Sequence, residues 1–271
     1  ALYDMSKSGY HQILLTTHNP ALARLLPQNA FRYIQATEEG RRVVSVGEEA
    51  LERTSTDLGL LHSHKIKLFI CVEGRTDIIF WKNISSALSR HDSQYIDLEK
   101  CEKDGTIIFV PMGGSTLDLW TYRLKGFSLP EIHIFDRDAD ENCTPKASQQ
   151  DAFNIVSGRD NCCAFITYGR ELENLLHIEA IKKIDTYSSL DSAFTPSCDV
   201  PARIAQHVHT SSGSPKVWEE VSPEDKKKKE SAVKRQLSLH ATQHMTPKLL
   251  CEVDVHGFVD SIFEKIREHV A

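Results

Sequence analysis

From about Lys65 onward, apolar segments of strand length alternate with amphipathic segments of helix length. The strand-like segments are KLFICVEG (67–74), TIIFVPMGG (106–114), EIHIFDRD (131–138) and CCAFITYG (162–169). Residues 76–91 and 115–126 lie between the first three and have helical apolar spacing, with Thr76 and Ser115 as expected N-caps and Gly126 as the end of the second helix. Strands separated by helices are typical of βαβ units, so we predict an α/β fold with a largely parallel sheet flanked by helices.

Acidic and glycine residues follow these strands directly. Glu73, Gly113 and Asp136 all stand where a predicted strand ends, which is where parallel sheets form their sites. Asp136 and Asp138 occupy alternating strand positions, so we expect both side chains to point to the same side. Two neighbouring carboxylates repel each other unless a proton or a cation lies between them. Oxygen ligands of this kind suit Mg²⁺ or Mn²⁺.

An ordinary polar turn is the alternative explanation for acidic residues after a strand. We prefer that explanation for Asp140 and Glu141, which lie further from the strand end. For Glu73, Asp136 and Asp138 the position at the strand ends favours a functional site.

The C-terminal part is predicted to be helical, with segments at 222–244, 246–254 and 257–270. Ser222 and Pro223 form a strong helix start. The first segment carries six positive charges in ten residues: Lys226, Lys227, Lys228, Lys229, Lys234 and Arg235. Such a run is either a solvated helix face or a set of contacts to nucleic-acid phosphates. Because the net charge is −6, only a local surface of this kind could attract nucleic acid.

Cysteine usage and hydropathy exclude several classes of protein. The seven cysteines form no CxxC pair, so we expect reduced thiols and no disulfide framework or zinc knuckle. No apolar run approaches the roughly 18 to 20 residues that span a bilayer. We therefore expect a cytoplasmic protein without a membrane partner.

Three motifs in chain order resemble the TOPRIM fold, the catalytic domain of primases, topoisomerases and OLD-family nucleases. They are VEGRTD (72–77), PMGG (111–114) and FDRD (135–138), and the resemblance covers roughly residues 65–175. The segment YGRELENLL (168–176) is similar to a segment of OLD-like nucleases and of the TOPRIM protein of PARIS anti-phage systems.

This resemblance implies a two-metal site that holds Mg²⁺ or Mn²⁺. Glu73, Asp136 and Asp138 would bind one ion, and Glu171 or Glu173 would lie near the other. Lys234, ahead of the C-terminal helix, would stabilise charge in the transition state.

The first residues resemble the end of an ABC-type ATPase domain. ILLTTHNP (13–20) is similar to the strand and switch-histidine loop of such ATPases, in which His18 would approach the γ-phosphate. Residues 31–37 and 41–47 alternate like two strands. We assign residues 1–58 to this domain and 59–271 to the TOPRIM domain with its helical extension. No GxxxxGK[ST] loop is present, so the ATP site is incomplete: either the sequence is part of a larger protein, which we favour, or the ATPase portion is vestigial.

The expected function is metal-dependent endonuclease activity on DNA, coupled to an ATPase, in anti-phage defence. The expected partners are nucleic acid, an ATPase domain or subunit that supplies ATP binding, and further copies of the chain. Cleavage of tRNA or other RNA is an open alternative, as is a TOPRIM scaffold without catalysis. A topoisomerase or primase is disfavoured, because no tyrosine has a recognisable nucleophile context and no polymerising region is visible.

Overall fold

The computed structural model describes residues 14, 32–37, 40–45, 65–113, 116–138, 144–191 and 194–270. The chain divides into two compact units, residues 1–65 and 66–271. In the first unit, β1 (Arg32–Thr37) and β2 (Gly40–Ser45) pair antiparallel, which confirms the two predicted strands. His18 and the predicted domain boundary at residues 58 and 59 lie outside the described residues, so the ATPase assignment stays a prediction.

The second unit is an α/β fold with a four-stranded parallel sheet, as predicted. The strands are β3 (Leu68–Val72), β4 (Ile107–Pro111), β5 (Glu131–Phe135) and β6 (Cys162–Ile166), in the spatial order β4-β3-β5-β6. The α-helices are α1 (Arg75–Ser89), α2 (Leu98–Lys103), α3 (Leu117–Arg123), α4 (Ala147–Ser157), α5 (Ile178–Ile181), α6 (Val200–Ser211), α7 (Pro223–Leu239), α8 (Pro247–Val253) and α9 (Phe258–Val270).

The sheet separates two apolar cores, because successive side chains of a strand point to opposite faces. Leu68, Ile70 and Ile132 belong to the larger core, which also contains residues of α1 and of the C-terminal helices. Phe69 and Phe135 belong to the smaller core, which contains residues of α3 and α4. The C-terminal extension therefore packs on one face of the sheet and completes its core.

The helix starts at the strand ends differ from the sequence prediction. The first helix begins at Arg75 and not after Thr76, because Asp77 Oδ2 accepts the N–H of Gly74 at 2.9 Å and makes Gly74 the N-cap. The second begins at Leu117 and ends at Arg123, short of Gly126. The start of α1 is therefore fixed by the Asp77 side chain, which reaches back to the turn, and not by the residue type at one position.

Four helices, α2, α4, α5 and α6, were not predicted from the sequence. In α4 the buried residues are Gln149, Ala152 and Val156, so the inward face is partly polar and small and gives no clear apolar period. The predicted C-terminal helices are confirmed. Ser222 caps α7 by accepting the N–H of Asp225, and Phe258, Ile262 and Ile266 form the buried face of α9.

The sequence also predicts reduced cysteines and no membrane-spanning segment. The six cysteines within the described ranges are all free thiols. In the same part of the chain, no helix combines the length and the apolar character that crossing a bilayer requires.

Candidate functional site

The carboxyl ends of β3 and β5, neighbours in the middle of the sheet, bring Glu73 and Asp136 together. Glu73 Oε1 accepts the backbone N–H of Asp136 at 3.3 Å. Asp136 is only 8% exposed, and its Oδ1 accepts the N–H of Leu172 at 3.0 Å. The end of β5 is thus joined both to β3 and to the segment that follows β6.

Asp138 is close to Glu73, but by a route that the sequence did not predict. The strand ends at Phe135, and Asp138 has a φ of +46°, so the alternation expected for Asp136 and Asp138 does not apply. The N–H of Asp138 donates to the carbonyl of Arg170 at 2.9 Å, which holds this turn in place. Gln149 Nε2 donates to Asp138 Oδ2 at 3.0 Å and lies 3.5 Å from Glu73 Oε1, so one amide links the two carboxylates.

The segment after β6 adds two buried carboxylates. Glu171 and Glu173 are 5% and 4% exposed, and Glu171 is the N-cap of a short 3₁₀ helix over Leu172–Leu175. Asn174 holds this segment by accepting the N–H of Glu171 at 3.0 Å and by donating to the carbonyls of Thr195 and Cys198. The two acidic side chains are therefore fixed to a constrained backbone.

Lys234 of α7 supplies the positive charge for this group. Its Nζ lies 2.5 Å from Glu171 Oε2 and 3.9 Å from Glu173 Oε2. Burial disfavours the charged ammonium, but the surrounding carboxylates of Glu173, Glu171 and Asp136 raise the pKa of Lys234 above its usual range. Asn83 Nδ2 of α1 donates to the carbonyl of Ser238 at 2.8 Å, which anchors α7 beside the site.

Sequence reasoning missed Asp77 as a site residue. Burial raises the pKa of Asp77, and its charge in turn raises the pKa values of Glu73 and Asp136. The signal was present in the EGRTD turn, where an acidic residue stands three positions after a glycine at a helix start. We call Glu73, Asp77, Asp136, Asp138, Glu171, Glu173 and Lys234 the strand-end site.

Burial and mutual repulsion make several of these acids reluctant to ionise. Burial, followed by the charges of Asp138 and Asp77, raises the pKa of Glu73 to about 7. Burial raises the pKa of Glu173 to about 8 against the opposing effect of Lys234. Burial and the charges of Asp77, Glu173 and Glu73 hold the pKa of Asp136 well above its usual range. Several acids of the site therefore keep protons at pH values where an exposed carboxyl group is ionised.

We expect the metal-free protein to lose stability as the pH rises from about 4.5 to about 8. Glu73 and Glu173 have folded-state pKa values of about 7 and about 8, above the ordinary value of 4.5. In this window the folded protein keeps protons that the unfolded chain releases, so stability present at low pH is lost as the pH rises. Each such group lowers the free energy of unfolding by about 1.4 kcal/mol per pH unit at most.

Urea unfolding in EDTA at a series of pH values measures this slope. A Glu73→Gln, Glu173→Gln double variant serves as the comparison, because it removes both titrating groups. A slope equal in the wild type and the double variant would contradict the expectation.

The site carboxylates do not form a compact chelating set. Among the residues that the structure describes, the group whose ligand atoms all lie within 4.8 Å of one another is Cys71, Glu131 and His133, on another part of the sheet. In the strand-end site, hydrogen bonds from Leu172 and Gln149 and the charge of Lys234 hold the acidic side chains. The predicted roles of Glu73, Asp136, Asp138, Glu171, Glu173 and Lys234 stay predictions.

The basic residues lie on the helix that carries Lys234. Lys227, Lys228, Lys229 and Arg235 are exposed, whereas Lys226 is half-buried with its Nζ 5.5 Å from the ring centroid of Trp218. Lys228 pairs loosely with Asp225 at 3.5 Å. Lys226 and Lys234 are eight positions apart on the helix, about 12 Å along its axis. The positive run and the strand-end site therefore share one helix.

We expect Gly169→Ala to disrupt the acidic segment after β6. An added Cβ at Gly169 would lie 2.6 Å from Cβ of Asn174, the residue that holds the backbone of Glu171. Because Asn174 is fixed by two carbonyls, we expect the free energy of unfolding to fall by about 1–3 kcal/mol. Gly126→Ala is the matched control, since a Cβ there meets nothing within 4 Å. Equal destabilisation of the two variants, measured by urea unfolding, would show that Asn174 gives way.

Comparison with known proteins finds likeness in structure alone. No protein-family model matches the chain, and no curated protein matches it. Among solved structures, the C-terminal region of the Xanthomonas campestris pv. campestris OLD protein aligns with 12% identity and a TM-score of 0.43, covering 76% of this chain and 96% of that one. The C-terminal region of the Burkholderia pseudomallei OLD protein aligns with 15% identity and a TM-score of 0.43, covering 76% of this chain and 99% of that one.

Proposed function

We propose that this chain is a divalent-metal-dependent nuclease that hydrolyses phosphodiester bonds of nucleic acid, with DNA as the preferred target. One observation carries the proposal. Acidic side chains from the ends of β3, β5 and β6 gather at one edge of a parallel sheet, together with the ammonium group of Lys234. Such a group combines oxygen ligands for a hard cation with a fixed positive charge for a phosphate.

The residues of the site fit a divalent cation chemically. All the acidic donors are carboxylates, which suit Mg²⁺ or Mn²⁺. Glu171 Oε1 is buried and has no hydrogen-bond partner, which marks a lone pair available for a ligand. Glu73, Asp136 and Asp138 would hold one ion, and Glu171 or Glu173 a second. When bound, such ions activate a water molecule and stabilise the leaving oxygen of a phosphodiester.

The other residues of the site position these carboxylates. The N–H of Leu172 fixes Asp136, and the amide of Gln149 holds Asp138 and Glu73 on the same side. Lys234 balances Glu171 and Glu173 in the structure, and its ammonium is the group available to stabilise negative charge on a phosphate.

We expect α7 to bind nucleic acid through phosphates. Changing Lys226, Lys227, Lys228 and Lys229 to Ala should weaken binding to DNA of any sequence, because binding to phosphates carries no sequence information. The slope of log affinity against log salt should flatten by about 0.9 for each phosphate that the variant no longer neutralises. The measurement is fluorescence anisotropy with two unrelated duplexes at several salt concentrations. Changing Lys182, Lys183 and Lys248 to Ala removes three positive charges outside α7 and provides the control. An unchanged salt slope in the α7 variant would contradict the expectation.

The wider function rests on the family resemblance of the sequence motifs. From this resemblance we propose that the chain is coupled to an ATPase domain or subunit, assembles into a homo-oligomer and acts in anti-phage defence. ATP would be bound by that ATPase portion, with His18 as part of its site.

Cleavage of plasmid DNA tests the proposed activity directly. The purified chain should nick or linearise plasmid in Mn²⁺ or Mg²⁺ and leave it intact in EDTA. A parallel reaction with tRNA distinguishes a DNA target from an RNA target. If neither substrate is cleaved but both are bound, the chain is a scaffold that binds nucleic acid and not a nuclease.

A further inference from the structure

A second polar cluster lies inside the smaller core of the sheet, away from the strand-end site. Cys71 of β3 and Glu131 and His133 of β5 point into this core and are 0%, 2% and 0% exposed. The same core contains the apolar residues Phe69, Met112, Leu117, Phe135 and Val156. Burying a carboxyl and an imidazole in such surroundings is costly unless partners satisfy them.

The register of the sheet brings the three side chains together. Cys71 stands opposite His133 on the neighbouring parallel strand, and Glu131 is two positions before His133 on the same face. One potential ligand atom from each residue lies within 4.8 Å of the other two. The proximity therefore comes from strands, which are rigid elements, and not from a loop.

Other residues hold Glu131 and His133 in one orientation. Glu131 Oε2 lies 2.8 Å from His133 Nε2, and Arg159 Nη2 donates to Glu131 Oε1 at 2.5 Å. Arg159 Nη1 donates to Glu131 Oε2 at 3.1 Å and also to the carbonyl of Thr121. His133 Nε2 is therefore engaged by Glu131, and Nδ1 is the ring nitrogen left for another partner.

One atom of this cluster remains without a partner. His133 Nδ1 is buried and makes no hydrogen bond. Leaving such a group unsatisfied costs about 1–3 kcal/mol. The ion pair with Arg159 explains why the Glu131 carboxylate can be buried, but it does not provide a partner for His133 Nδ1. The open lone pair points to a ligand.

We propose that Cys71, Glu131 and His133 bind a thiolate-preferring divalent cation of the Zn²⁺ class in the core of the sheet. Sulfur, nitrogen and oxygen donors in one group suit Zn²⁺ and not Mg²⁺. The cation would join β3 to β5 from inside and stabilise the strands whose ends carry Glu73 and Asp136. This site is structural and separate from the strand-end site, so it does not depend on the proposed nuclease activity.

Cobalt substitution tests this site without reference to activity. The full chain is produced in medium with Co²⁺ in place of Zn²⁺ and examined by absorption spectroscopy, with metal content measured by mass spectrometry. We expect an intense near-ultraviolet band from thiolate-to-cobalt charge transfer. Cobalt bound only by carboxylates gives no such band, so the strand-end site does not contribute to it.

Three variants assign the band to these residues. Cys71→Ser and His133→Gln should each reduce the intensity of the band at least tenfold. Cys251→Ser, which changes an exposed thiol, should leave the band unchanged. Using two ligand variants keeps the test decisive if one of them does not fold. A wild-type protein without the band, or a band that survives in a folded Cys71→Ser or His133→Gln variant, would show a buried ion pair only and overturn the proposal.

Discussion

Asp136→Asn is expected to abolish plasmid cleavage and to leave the metal-free fold as stable as the wild type or more stable. An Asn side chain keeps an oxygen for the N–H of Leu172, so the hydrogen bond at 3.0 Å survives. The change removes a carboxyl group whose charged form is disfavoured by burial and by the charges of Asp77, Glu173 and Glu73. It also removes a proposed metal ligand. Because loss of a residue that only supports a ligand typically costs 10- to 100-fold, we expect cleavage to fall at least about 100-fold.

Melting with and without Mn²⁺, beside a nicking assay, measures both effects. At a cation concentration about 100 times its dissociation constant, the wild type should gain about 2.7 kcal/mol, and Asp136→Asn should lose this stabilisation. Glu73→Gln should behave in the same way, and Asp160→Asn, at an exposed position, should match the wild type. Wild-type cleavage by Asp136→Asn, or unfolding of its metal-free form, would show that FDRD is not a metal site.

Lys234→Met is expected to destabilise the metal-free protein by about 3 kcal/mol, the lower end of the cost of breaking a buried ion pair. Lys234 is 37% exposed, but its partners Glu171 and Glu173 are buried and would lose their counter-charge. The destabilisation should be larger at pH 8 than at pH 5.5, because at low pH these acids can take up protons instead. Mn²⁺ should restore part of the stability by supplying positive charge to the same carboxylates.

Urea unfolding at both pH values, with EDTA or with Mn²⁺, measures these differences. Lys229→Met is the matched control, since this lysine is exposed on the same helix. Cleavage should be abolished in Lys234→Met even when Mn²⁺ restores the fold, because no ammonium remains to stabilise charge on the phosphate. A destabilisation no larger than that of Lys229→Met would show that Lys234 does not balance the buried acids.

The sequence by itself was enough to predict the parallel sheet and the positions of Glu73 and Asp136 at its carboxyl edge. The apolar pattern of a short segment predicts whether it is a buried strand or a helix. Parallel strands end at a common edge of their sheet. The start of α7 at Ser222 and the buried face of α9 were predictable for the same reason. In each case a cap or an apolar period within a few residues carries the information.

Only the tertiary structure decided how the strand-end site is assembled. Asp138 comes near Glu73 through a left-handed turn that Arg170 holds, and Gln149 reaches both from a helix that has no clear apolar period. Lys234 is far from Glu171 in the chain, and α7 brings them together by packing on α1. Contacts of this kind depend on which elements pack side by side, which no local pattern encodes.

The cluster of Cys71, Glu131 and His133 shows the same division within the sheet itself. Alternation along β5 predicts that Glu131 and His133 share a face. It gives neither the order β4-β3-β5-β6 nor the register that sets Cys71 beside His133. Hydrogen bonds between strands fix that register, and a shift of one residue would turn every side chain to the other face. The sequence therefore determined the strands, the helices with a clear cap or apolar period, and the edge where the acids meet, whereas strand order, register and helix packing determined which side chains touch.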